Sequence, residues 1–62
     1  NAAVQMELLA RLCKDEDVNV RLALTDNTSL PSELLELLAA DENPYVQYHA
    51  RRALELRSTE PR

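Results

Sequence analysis

Shifted by 26 positions, the 62-residue chain meets itself. Glu7, Leu8, Leu9 and Leu12 fall on Glu33, Leu34, Leu35 and Leu38, and Asp15, Glu16 and Val20 fall on Asp41, Glu42 and Val46. Self-similarity at a fixed period of about 20–50 residues marks stacked supersecondary units, none of which can bury its apolar face alone. The roles coincide as well as the letters. Asp17 superposes on Asn43, both favoured helix N-caps, and they are followed by Val18 and by Pro44, which suits a first helical turn. Each unit reads as helix, acidic turn, helix, with units at about 7–32 and 33–57.

Helical spacing of the apolar residues then predicts four helices. The first runs from about Ala2 to Lys14 with Val4, Leu8, Leu9 and Leu12 on one face, and Asp15-Glu16-Asp17 ends it. The second is short, presents Val20, Ala23 and Leu24 inward, and stops at the turn-favouring run Asp26-Asn27-Thr28-Ser29. The third opens near Pro31, places Glu33 in its first turn where the helix dipole favours an acid, and buries Leu34, Leu35, Leu37 and Leu38. The fourth starts at Pro44 and continues to about Leu56 or Arg57, with Val46, His49, Ala50, Ala53 and Leu54 as its stripe. Here the repeat breaks, because Arg52-Ala53-Leu54 continue a helix where Asp26-Asn27-Thr28 end one. A terminal unit needs a polar outer face, which Arg51, Arg52, Glu55 and Arg57 supply, and residues 58–62 read as a frayed tail.

Composition narrows the function classes. The chain has eleven Asp and Glu against seven Lys and Arg, a net charge of −4, which argues against a nucleic-acid-binding footprint. The charge is uneven: residues 1–43 carry a net −6 and residues 44–62 a net +2, so an anionic partner would meet the C-terminal segment. One cysteine, Cys13, leaves no internal disulfide and no zinc or iron–sulfur ligand set, and makes the cytosol the default compartment. No apolar run approaches the roughly 20 residues needed to cross a bilayer.

The stretches from Asp17 to Asn27 and from Pro31 to Asp41 resemble the leucine-rich repeat variant family. Its unit joins Val-Arg, an Ala-rich short helix, an Asn near the turn, a Pro, and a Leu-rich helix closing on Leu-Ala-x-Asp. The likeness covers most of residues 8–50. It implies an all-α fold, a short right-handed α–α superhelix of the armadillo and HEAT-like kind, in which the segment Val18–Thr25 is partly 3₁₀. Two positions depart from the pattern: Thr28 follows Asn27 where the family often has Pro, and Val46-Gln47 replaces Val-Arg. The cysteine-rich cluster domain of some relatives has no counterpart here, so no cofactor carries over. The family keeps an Arg at the position of Arg21, where a cation beside acidic turns would serve as an ion pair or carbonyl contact between successive units.

Candidate sites follow from residue types. His49 has no Cys, Asp or Glu three or four residues away on its helix, and reads as a partly buried packing residue. Cys13 reads as a small, buried, inert thiol, and the acidic clusters as caps rather than cation sites. Tyr45, Tyr48, Arg51 and Arg52 gather the types enriched in binding hot spots on one helix, with Tyr45, Tyr48 and Arg52 sharing a face. They read either as a partner-binding surface or as tyrosines closing the end of the core with their hydroxyls in solvent. No nucleophile, base and oxyanion-donor set can be assembled, and no metal or small-molecule site is evident. The expectation is a non-catalytic module for protein–protein interaction or self-association; the alternative is a nucleic-acid-binding solenoid using Arg51, Arg52 and Arg57.

Overall fold

The computed structural model describes residues 2–59, and among them all regular structure is helical, with no strand. Four helices follow in order: α1 (Ala2–Leu12), α2 (Val18–Thr25), α3 (Ser32–Ala39) and α4 (Pro44–Thr59). The sequence contains no Gly, and no described residue takes a positive φ. The helices therefore close without the left-handed cap that glycine usually supplies. Instead α1 and α3 tighten their ends alike. Lys14 and Asp15 donate backbone N–H to the carbonyls of Arg11 and Leu12 at 3.0 and 3.1 Å, and Ala40 and Asp41 donate to Leu37 and Leu38 at 3.1 and 3.0 Å. Such three-residue bonds satisfy carbonyls that a helix end leaves without partners.

The starts of α2 and α4 match in the same register. Asp17 Oδ1 accepts from the Asn19 N–H at 2.9 Å, and Asn43 Oδ1 accepts from Tyr45 at 2.8 Å and Val46 at 3.3 Å. Two residues upstream, Asp15 Oδ1 accepts from the Asp17 N–H and Asp41 Oδ1 from the Asn43 N–H, both at 2.8 Å. The acidic turns thus hold the cap residues Asp17 and Asn43 in place, and the 26-residue offset reappears as one hydrogen-bond pattern drawn twice. The second helix differs from the expectation in kind: Val18–Thr25 is α-helical throughout, not partly 3₁₀. Its C-cap Asp26 donates N–H to both Ala23 and Leu24 carbonyls, so tightening is confined to the exit.

The core gathers Cys13, Leu24, Leu30, Leu34, Leu35, Leu38, Val46 and Ala50, with Leu30, Leu35, Leu38 and Val46 the largest fully buried side chains. α4 packs most extensively, against α3 and then α2, whereas α1 rests chiefly on α2. Leu30, which the turn assignment left outside the core, immediately precedes the Pro31 cap of α3. It and Leu35 occupy the staple positions that fix how a chain enters a helix. Among the described residues Thr25 is the buried polar one, and its Oγ1 donates to the Leu22 carbonyl at 2.6 Å, so the hydroxyl is satisfied within its own helix.

Several inward assignments are corrected. Leu37 is exposed because a single helical stripe cannot hold four leucines in five positions; Leu34, Leu35 and Leu38 take it. On α1 the buried side runs through Met6, Leu9, Ala10, Leu12 and Cys13, while Val4 and Leu8 face outward at 62% and 56% exposure. Ala23 is exposed as well. α1 stops at Leu12 rather than Lys14, and α4 continues to Thr59, so Ser58 and Thr59 belong to a helix and not to a tail; residues 60–62 lie outside the described residues.

The two acidic turns are joined by one side chain. Arg21 Nη1 donates to the Asp15 carbonyl, and Gln47 Nε2, its counterpart 26 residues on, donates to the Asp41 carbonyl. Arg21 alone reaches further. Its Nε lies 2.7 Å from Asp41 Oδ2 and its Nη2 donates to Asp41 Oδ1 at 3.4 Å, with the two side chains only 11% and 9% exposed. The Nε–H is not aimed at the carboxylate oxygen, so this contact is an ion pair by distance and charge rather than an aligned hydrogen bond. The expectation for Arg21 is an ion pair or a carbonyl contact, and the side chain makes both.

Candidate interaction surface

α4 exposes the side chains that the sequence singles out. Tyr45 and Tyr48 are 69% and 58% exposed, and Arg51 and Arg52 are exposed with them. Val46, Ala50, Ala53 and Leu54 occupy the inward stripe, so the helical period sends positions 45, 48, 51 and 52 to the remaining arc. Neither tyrosine is among the residues packed against the core. Tyr48, Arg51 and Arg52 line a shallow depression of about 250 Å³ together with Pro44, Gln47 and Glu55, and Tyr45 stands outside it. Three of the four candidates line this depression and the fourth, Tyr45, does not.

His49 is corrected from a packing residue to an exposed one. It follows Val46 by three positions and falls about 60° to the side of the stripe through Val46 and Ala50. Its ring meets the Tyr48 ring edge-on, with centroids 5.5 Å apart and planes at 80°. A second, larger open cleft of about 730 Å³ lies between α4 and the turn before α3, lined by Asp26, Asn27, His49, Arg52, Leu56 and Arg57 among others. Arg52 borders both depressions.

Sequence reasoning placed Arg57 on the polar outer face, and the structure turns it back. Nη1 donates to Ser32 Oγ at 3.1 Å, and Nη2 donates to the Asn27 and Thr28 carbonyls at 3.5 and 3.4 Å. The signal was available: Arg57 follows Ala50 and Ala53 at helical spacing, on the side of α4 that faces the rest of the chain. Its guanidinium thereby fastens the extra turns of α4 to the turn that precedes α3.

The groups on this surface can donate hydrogen bonds, stack and pair with anions. Among the described residues no three of His, Cys, Asp and Glu converge as metal ligands. Cys13 is buried, and burial pushes its thiol above the ordinary value, which holds it in the weakly nucleophilic neutral form. Among the described residues no helix is long and apolar enough to cross a membrane. No protein-family model, no curated protein and no solved structure matches the chain.

Proposed function

We propose that this chain is a non-catalytic helical-repeat module of protein–protein interaction or assembly, working in the cytoplasm. One observation carries the proposal: the hydrogen bonds of the acidic turns recur at the 26-residue offset, yet Val4 and Leu8 are exposed while their counterparts Leu30 and Leu34 are buried. Repeats share their apolar faces with neighbours, so a repeat with a bare face is built to be covered. The resemblance to the leucine-rich repeat variant family, and with it a right-handed superhelix of the armadillo and HEAT-like kind, belongs to the same proposal. Tyr48, Arg51 and Arg52 offer a second contact surface of the residue types that dominate binding energetics. The nucleic-acid alternative is weaker, because Arg57 is engaged within the chain and Arg51 and Arg52 remain as its cations.

Light scattering over a dilution series, combined with a thermal melt, tests this function. Association at high concentration, abolished by Leu8→Asp or by Tyr48→Asp, is the expected result. A chain that stays monomeric at every concentration and also melts at high temperature would contradict it, since its faces would then need no cover.

A further inference from the structure

The two halves of the sequence supply the template for what covers α1. In the second half, the Asp41 carboxylate does two things: Oδ1 accepts the Asn43 N–H at 2.8 Å, and Oδ2 lies 2.7 Å from the guanidinium of Arg21, the fourth residue of α2. In the first half, Asp15 Oδ1 accepts the Asp17 N–H at the same 2.8 Å, but among the described residues no cation pairs with its carboxylate. The apolar residues divide in the same way. Leu30 and Leu34 are 1% and 4% exposed, whereas Val4 and Leu8, 26 positions earlier, are 62% and 56% exposed. α3 packs chiefly against α4 and makes a smaller contact with α2, while α1 has only a small contact, chiefly with α2. Part of what α1 lacks is what α2 brings to α3: a short helix packed against it and one arginine.

We propose that Val4, Leu8 and Asp15 form a docking seat for a further helical-repeat segment of the 7–32 type, whose short helix delivers an arginine at its fourth position to the Asp15 carboxylate. The proposal deepens the interaction-module function and rests on it. Charge complementarity selects this occupant over a second copy of the chain. In a second copy Arg21 is already held by its own Asp41, and the corresponding position on α4 is Gln47, which carries no charge. A second copy can cover the apolar part of the seat and leaves the carboxylate unmatched.

The test uses the full chain extended by one unit, in which residues 1–32 are followed by residues 7–62, so that residues 7–32 occur twice in register. The seat predicts that the extended chain melts higher than the natural one. It also predicts that Arg21→Gln in the added segment shifts the folding equilibrium by about tenfold, and that this effect shrinks to about twofold or less when the facing Asp15 is changed to Asn. In the natural chain Asp15→Asn alone leaves the melt unchanged. An extended chain that melts no higher, or one in which the two substitutions act independently, overturns the seat. Loss of self-association on Asp15→Asn in the natural chain also overturns it, by naming a second copy as the occupant. Each of these results leaves the interaction-module function standing, because that function is read separately from self-association of the natural chain and its loss on Leu8→Asp or Tyr48→Asp, so the two failures are distinguishable.

Discussion

The first and second halves of this chain are nearly the same instruction carried out in different surroundings. Leu8 and Leu34 occupy equivalent places in the repeat, follow equivalent glutamates and precede equivalent leucines, yet one is 56% exposed and the other 4%. Asp15 and Asp41 cap their turns with the same geometry, yet only Asp41 is paired with a cation among the described residues. The difference teaches that local structure follows the sequence of each unit, whereas burial follows its neighbours. Caps and turns need only a few adjacent residues and therefore repeat faithfully. Core and ion pair need a second element to arrive, and α1 has one flank without it.

The comparison breaks most visibly in the core. Leu35→Ala or Leu38→Ala is expected to cost about 2–5 kcal/mol, enough to unfold a domain this small, whereas Leu8→Ala is expected to cost under about 0.5 kcal/mol. Thermal and denaturant melts followed by circular dichroism check both; equal losses in the two halves would refute the asymmetry. Next in size is the ion pair. Asp41→Asn strands the nearly buried Arg21 charge and should cost about 2–3 kcal/mol, somewhat below the range for a fully buried pair because each partner keeps some contact with water. Asp15→Asn, its counterpart, should change stability by less than about 0.5 kcal/mol.

The caps should then erase the comparison. Asp17→Ala and Asn43→Ala each remove a side-chain acceptor from a helix start, and each is expected to cost about 1 kcal/mol in the same melts. A large inequality between them would show that the two turns are not equivalent. The smallest effect concerns Cys13, whose counterpart is Ala39. Burial raises the folded-state pKa of this thiol, so the neutral form is the one the fold prefers. The associated stability is fully present below the ordinary thiol range of about 8.5, and is lost as pH rises through the higher folded value. Alkylation at neutral pH should be slow in the folded chain and fast in denaturant; Cys13→Ala should flatten the alkaline loss of stability.

Much of the fold was legible in the sequence because it is written locally. Four helices, the caps at Asp17 and Asn43 and the burial of Leu34, Leu35 and Leu38 follow from spacing and capping chemistry. That Arg21 makes both an ion pair and a carbonyl contact required coordinates, since no local pattern tells an arginine which turn of the next unit it meets. The errors sit where a decision depends on neighbours or on fine rotation about a helix axis. Leu37 and His49 each lie one step beside a buried stripe, and composition alone cannot say where a stripe ends. Leu30 was hidden by its turn-rich surroundings, and Arg57 by the rule that arginines face water. Of the candidate surface, the placing of Tyr45, Tyr48, Arg51 and Arg52 on one helix follows from spacing, while the depression that Tyr48, Arg51 and Arg52 line without Tyr45 required coordinates.

Native-state amide hydrogen exchange, resolved residue by residue by NMR, tests the asymmetry of the two halves most directly. Local stability is set by how much buried contact must be broken to open a segment. The slowest exchange is expected in α3 and in the Val46–Ala50 part of α4, with α1 exchanging fastest of the four helices at residues around Leu8. Equal protection in α1 and α3 would contradict the account, because Leu8 and Leu34 would then be alike in surroundings as well as in sequence.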